Sequence, residues 1–156
     1  MRQSQFKFAQ TPLFHGGEIA RGRRKNARPL SSKRPLHLVL KAARPIRAHQ
    51  SLFRNKLFQL GEKFQIRIYS SAVAADHVHL VLKISGRRQY AAFIRSYTSY
   101  LARTLGKGLW KLLPFTRVAS WGSDFRGLLR YLEQNRREAS GEWEFRPRKN
   151  CYEKYL

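Results

Sequence analysis

The chain has 156 residues, enough for one domain with a real core and too few for two comfortable ones. Lys and Arg number 32 against 9 Asp and Glu, a formal charge of +23, and a compact state so lopsided repels itself unless it works beside a polyanion; nucleic acid is the expected partner, ahead of an anionic membrane. No apolar run nears the ~20 residues of a membrane span, no signal-like stretch opens the chain, and the lone Cys151 excludes an internal disulfide and a cysteine-rich zinc site, so a soluble, cytoplasmic protein is expected.

Residues 1–34 carry no sustained periodicity and read as a loose basic arm, with Arg21, Arg23, Arg24, Lys25, Arg28, Lys33 and Arg34 set to lie along phosphates. From Pro35 the pattern sharpens. Leu36, Leu38 and Leu40 alternate with His37, Val39 and Lys41, the period-two signature of a half-buried strand. Leu52, Phe53, Leu57 and Leu60 then follow at helical spacing and stop at Gly61, a favoured helix C-terminal residue. Phe64, Ile66 and Ile68 predict a second strand, and Val78, Leu80, Leu82 and Ile84 a third.

Tyr90, Phe93, Ile94, Tyr97, Leu101 and Leu105 recur at three- and four-residue steps before Gly106, an amphipathic helix with its stop signal. The segment Phe115–Ser120 is short and β-prone. Phe125, Leu128, Leu129 and Leu132 mark a last helix, capped by Ser123 and running to about Gly141. The order β-α-β-β-α-β plus a final helix is that of a ferredoxin-like or RRM-like α+β fold, with the first and third strands adjacent in the middle of an antiparallel sheet. The domain then spans 35–141, followed by a basic and aromatic tail at 142–156.

Chemistry collects on one face. In a strand, residues two apart point the same way, so His77 and His79 share a face and can hold one metal ion. The segments LHLVLK (36–41) and HVHLVLK (77–83) echo each other, and His77 is the residue that turns a lone polar-face histidine into a bidentate platform. On the last helix, at about 100° per residue, Tyr131 lies at the margin of the buried stripe and Asn135 between the stripe and Tyr131. Asn135 is therefore the better-aimed third ligand, with Gln134 and Glu138 as alternatives. Read on its own, a His-x-His strand is as well explained by polar-face residues, and a tyrosine beside an apolar stripe by packing.

Taken together, Lys33–Lys41, His77-Val-His79-Leu-Val-Leu82, Phe115–Gly122 and Tyr131-Leu-Glu-Gln-Asn135 resemble the single-tyrosine transposases of the HUH superfamily, and among them the REP-associated tyrosine transposases (transposase IS200-like). The resemblance implies an enzyme that cuts and rejoins single-stranded DNA, often beside a hairpin, using a divalent cation, Mg²⁺ or Mn²⁺, and no nucleotide energy source. It makes Tyr131 the nucleophile and gives His77, His79 and an amide oxygen to the metal. It also implies a bacterial, nucleoid-associated protein, with a homodimer as the candidate assembly. Two departures stand out: Asp76 occupies a position where many relatives have asparagine, and Asn135 one where some have glutamine. Arg67, Lys83, Arg87 and Arg88 are further candidates for phosphates, Trp110, Trp121 and Tyr69 for stacking on unpaired bases, and His37 for contact with phosphate or Tyr131.

Three other readings compete. A non-catalytic RNA- or single-stranded DNA-binding module on the same fold, or a domesticated transposase that keeps only DNA binding, would need no metal. The first wants aromatic side chains on its central strands, where this chain has His37, Val39, His77, His79 and Val81. A metal hydrolase would want a carboxylate-rich site, which the sequence lacks.

Overall fold

A computed structural model describes residues 14–22 and 27–142. The elements run β1 (Phe14–His15), β2 (Leu36–Lys41), α1 (Gln50–Lys63), β3 (Arg67–Val73), β4 (His77–Lys83), α2 (Arg87–Leu105), β5 (Phe115–Val118) and α3 (Ser123–Ser140). They build an α+β fold whose single antiparallel sheet has the order β1-β5-β2-β4-β3. As the alternation predicts, β2 and β4 pair at the centre.

Strand parity divides the core into two layers. Leu36, Leu38 and Leu40 meet Val78, Leu80 and Leu82 on one face, beneath Phe53, Leu57 and Leu60 of α1 and Tyr90, Phe93, Tyr97 and Leu101 of α2. Each leucine withdrawn from water in this way contributes about 1.5–3 kcal/mol. Phe93 stacks on Tyr97 at 5.8 Å, and the Tyr97 hydroxyl donates to the Phe53 carbonyl at 3.1 Å, which ties α2 to α1. Burial pushes the Tyr97 phenol well above its ordinary pKa, so it stays a donor. The opposite face holds Ala72, Val81 and Ala119 under Leu128, Tyr131 and Leu132 of α3.

Three features depart from the sequence expectation. The arm is not structureless throughout: Phe14 and His15 pair with Arg117 and Thr116 of β5, and Gly16, at φ 89, sits where a Cβ would come within 2.0 Å of the Pro114 carbonyl oxygen. The pairing joins positions about a hundred residues apart, which no periodicity within the arm records. Secondly, α1 runs past Gly61 to Lys63, and the second strand begins at Arg67 rather than Phe64. The helix closes by a Schellman pattern, with the Ile66 N–H donating to the Gly61 carbonyl at 2.8 Å and the Gln65 N–H to the Glu62 carbonyl at 3.1 Å. Phe64 and Ile66 alternate because they flank that closure, not because they are strand. Gly61 is small for another reason, since a Cβ there would meet the Ile66 carbonyl oxygen at 3.2 Å. Thirdly, Ser123 is the first residue of α3 rather than its cap, and Gly122 precedes the helix without any side-chain cap.

The cap of α1 yields a test. Gln65 is the only described non-glycine residue with positive φ, at 55°, a conformation that costs an L residue about 1 kcal/mol. Gln65→Gly is expected to raise the urea midpoint of unfolding by up to about 1 kcal/mol of stability; a lower midpoint would show that the side chain contributes more than the strain removes.

Candidate active site

The central register assembles three histidines. Val39 lies opposite His79, Lys41 opposite His77 and His37 opposite Val81, so His37 and His79 are diagonal neighbours on one face. Because the strands are antiparallel, the echo between LHLVLK and HVHLVLK is not a spatial register; the two lysines end opposite ends of the sheet. His37 Nε2 and His79 Nδ1 approach to 3.3 Å with the rings stacked at 5.5 Å, and the His77 ring stands edge-on to His79 at 4.6 Å. The His77 Nδ1 meets Asp76 Oδ1 at 2.7 Å. Partial burial alone would raise the Asp76 carboxyl; the hydrogen bond and charge of His77, with Lys41, outweigh it and hold the group below its ordinary value.

Helix α3 lies across this face, against β3 and β4. It puts the Tyr131 ring edge-on to His79 at 5.3 Å and to His37 at 6.4 Å. Tyr131 is 7% exposed, deeper than its place at the margin of the stripe suggested, and His37 and His79 are 0% exposed. Of the two contacts expected of His37, phosphate or Tyr131, the fully buried ring lies against Tyr131. Its burial, then the nearby Arg117 charge, against a smaller opposing effect of Asp124, lowers its pKa from 6.5 to about 3, which keeps it a neutral hydrogen-bonding group.

The start of α3 is fixed by Asp124. Its carboxylate takes two N–H groups of Arg117 from β5, at 2.8 and 3.2 Å, and the Ser120 backbone N–H at 2.9 Å. An acidic residue in the first helical turn also suits the helix dipole. This clamp, unrecognised in the sequence, sets the angle at which α3 delivers Tyr131; the only sequence signal was an aspartate beside a misassigned cap.

Among the other expected ligands, Asn135, Gln134 and Glu138 are half-buried on α3, with Gln134 Nε2 donating to Glu138 Oε1 at 3.3 Å. Among the described residues no set of three His, Cys, Asp or Glu side chains is gathered as a metal cluster. The two imidazoles nevertheless fit a metal's donor set, since each ring's Nδ1 is engaged by a partner, Asp76 or His37, as ligating histidines usually are.

The expected DNA contacts divide. Arg67 and Lys83 are direct cross-strand partners, one step beyond the pair that Leu82 makes with Leu36, and Lys33 and Arg34 immediately precede β2 at the same end. Arg87 and Arg88 are exposed at the N-terminus of α2, and Arg87 donates to the Arg28 carbonyl at 3.0 Å. Arg21 pairs with Glu18 at 3.6 Å on the surface. Arg23, Arg24 and Lys25 lie outside the described residues, as does the tail from 143. Trp110 belongs to the core: its Nε1 donates to the Thr98 carbonyl at 3.0 Å and its ring meets Phe53 edge-on. Among the described residues, no helix is long and apolar enough to cross a membrane.

The family profile described as "Transposase IS200 like" matches residues 36–126, more than half of the chain. The chain belongs to the IS200-like transposase family. The match takes in His37, His77 and His79 and stops short of Tyr131. This IS200-like transposase shares its fold with a REP-associated tyrosine transposase solved with a REP hairpin, at a TM-score of 0.65 and 13% identity over 79% of this chain and 81% of that one. Two other solved chains overlay less well, and nothing about the site rests on them. One is a transposase candidate from Deinococcus radiodurans R1, with a TM-score of 0.38 and 16% identity over 72% of this chain and 98% of that one. The other is the C-terminal domain of the Mycobacterium tuberculosis MgtC protein, with a TM-score of 0.36 and 14% identity over 58% and 94%. No curated protein sequence matches the chain.

The clamp at the start of α3 predicts a measurable loss. Asp124→Ala strands a partly buried guanidinium and the Ser120 N–H, at a cost of about 1.5–3 kcal/mol in urea unfolding; an unchanged midpoint would mean that α3 is seated by its apolar stripe alone.

Proposed function

We propose that this transposase nicks and rejoins single-stranded DNA at hairpin-bearing sites through a 5′-phosphotyrosine on Tyr131, with a divalent cation held by His77 and His79. The observation that carries the reading is the convergence of His77, His79 and Tyr131 on one sheet face, with ring separations of 4.6 and 5.3 Å along the series. Membership of the family supports DNA processing, and the hairpin-bound relative supports the form of the substrate.

With Nδ1 of His79 turned to His37 and Nδ1 of His77 turned to Asp76, an ion would take Nε2 of both rings, with Asn135, Gln134 or Glu138 completing the set. Such an ion, Mg²⁺ or Mn²⁺, supplies Lewis-acid polarisation of a non-bridging phosphate oxygen. Two imidazoles suit Mn²⁺ better than Mg²⁺, which prefers oxygen. Tyr131 Oη forms the new bond to phosphorus as its proton leaves to solvent; the P–O3′ bond breaks and the 3′ oxygen takes up a proton. Because the phosphodiester bond is exchanged rather than hydrolysed, a second 3′-hydroxyl can attack the phosphotyrosine and release Tyr131 without ATP. His37 and Asp76 orient the two histidines, and α3 excludes water from the buried side of the tyrosine ring. The same helix covers the sheet face that an RNA-recognition domain leaves open, which disfavours base stacking on the central strands.

Incubation with labelled hairpin DNA and Mn²⁺ or Mg²⁺ should give an adduct that survives denaturation, and Tyr131→Phe should give none. An undiminished adduct in that variant would remove Tyr131 as nucleophile; cleavage without any adduct would favour a hydrolase, and binding without cleavage a domesticated DNA-binding protein. For the metal role, His77→Ala with His79→Ala is expected to abolish cleavage while leaving hairpin affinity within a few-fold. A large loss of affinity in that variant would count against it.

A further inference from the structure

At the end of the sheet where α3 begins, three aromatic side chains form a closed group. Tyr69 meets Phe125 edge-on at 5.1 Å and Trp121 at 5.9 Å, and Trp121 meets Phe125 at 5.0 Å. Tyr69 reaches them because of a β-bulge. The register of β3 on β4 shifts between Ile68 and Ser70, so Tyr69 is the extra residue, and it packs on the α3 side together with Ser70, whose hydroxyl accepts from Arg136 of α3.

Tyr69 and Phe125 are half-buried against the α3 layer, whereas Trp121 remains 46% exposed. That exposed ring is nevertheless held in place. Besides the two edge-on contacts, its Nε1 donates to the Lys33 carbonyl at 2.9 Å, and the Ser31 hydroxyl fixes that segment by accepting from the backbone N–H groups of Lys33 and Arg34. A large apolar ring that needed only to fill the core would be buried. One that is fixed and left half in water has already lost the freedom a ligand would otherwise have to remove.

The surrounding charge identifies the occupant. Lys33 and Arg34 flank the indole anchor, Arg126 is exposed in the first turn of α3, and Arg67 opposes Lys83 across the strands. Like charges placed directly opposite destabilise a sheet pair, so this end of the sheet is built for a polyanion rather than for an apolar protein partner. A cationic rim around a rigid exposed aromatic is the arrangement by which proteins hold unpaired bases without reading sequence. We infer that Trp121, backed by Tyr69 and Phe125, is a stacking platform for one unpaired nucleobase of the DNA strand, with Lys33, Arg34, Arg67 and Lys83 on the adjoining phosphates. Tyr131 lies eight residues along α3 from Ser123, roughly 12 Å at the helical rise, so the stacked base is a few nucleotides from the phosphate attacked. The inference rests on the nicking reading for that relation to the scissile phosphate, but not for the stacking itself.

The test uses full-length protein carrying Tyr131→Phe, so that binding is read without cutting, and a fluorescent single strand flanking a hairpin. In this otherwise unaltered protein, replacing one nucleotide at a time by an abasic site should weaken binding about 5- to 100-fold at one position. Trp121→Ala should weaken binding to the intact strand by a similar factor and flatten that abasic profile, while Trp121→Phe restores both. A flat profile in the unaltered platform would overturn the inference, as would a Trp121→Ala protein with an unchanged profile. Failure of the nicking reading is separately visible: no covalent adduct with Tyr131 present, alongside a position-specific abasic penalty, would leave the platform standing and remove the phosphotyrosine route.

Discussion

The pairing of β2 with β4 is the constraint on which the rest depends. One register sends six aliphatic side chains to the α1 and α2 layer and three histidines to the α3 layer. A slip of one residue would exchange the faces, putting imidazoles into the apolar layer and leucines under Tyr131. Stability and site geometry are thus set by the same backbone hydrogen bonds, and the leucines that hold the register are as necessary to the site as the histidines they place.

Around this centre the chain accepts several locally unfavourable choices. It buries a neutral histidine, opposes Arg67 to Lys83, places Arg87 and Arg88 at the N-terminus of α2 where the helix dipole disfavours cations, and leaves a tryptophan half exposed. Departures of this kind are expected where function competes with folding. The buried histidine is answered by hydrogen bonding within the protein. Arg67, Arg87 and Arg88 are exposed, where an external polyanion would answer them, in keeping with a formal charge of +23.

Much of this was legible in the sequence because the strands obey period two and the helices three to four. Alternation gave the central strands, the shared face of His77 and His79 and the neighbourhood of Tyr131. It missed what depends on contacts distant in sequence. The azimuth of Tyr131 on α3 says where the ring points but not that α3 sits down on the sheet, so its burial was underestimated. His37 was placed on the correct face, yet its role follows from a diagonal contact with a residue forty-two positions away. The Arg117–Asp124 clamp, the bulge at Tyr69 and the Schellman closure at Gln65 each turn on one residue's local geometry, and none leaves a repeating pattern.

The two-residue strand at Phe14–His15 has a consequence for assembly. It covers the outer side of β5 beside Thr116 and Arg117, with Gly16 turned against the Pro114 carbonyl just beyond it. The opposite margin is β3, whose bulge and exposed Arg67 interrupt a regular ladder. Copies of the protein are therefore discouraged from zipping into a continuous sheet along β3.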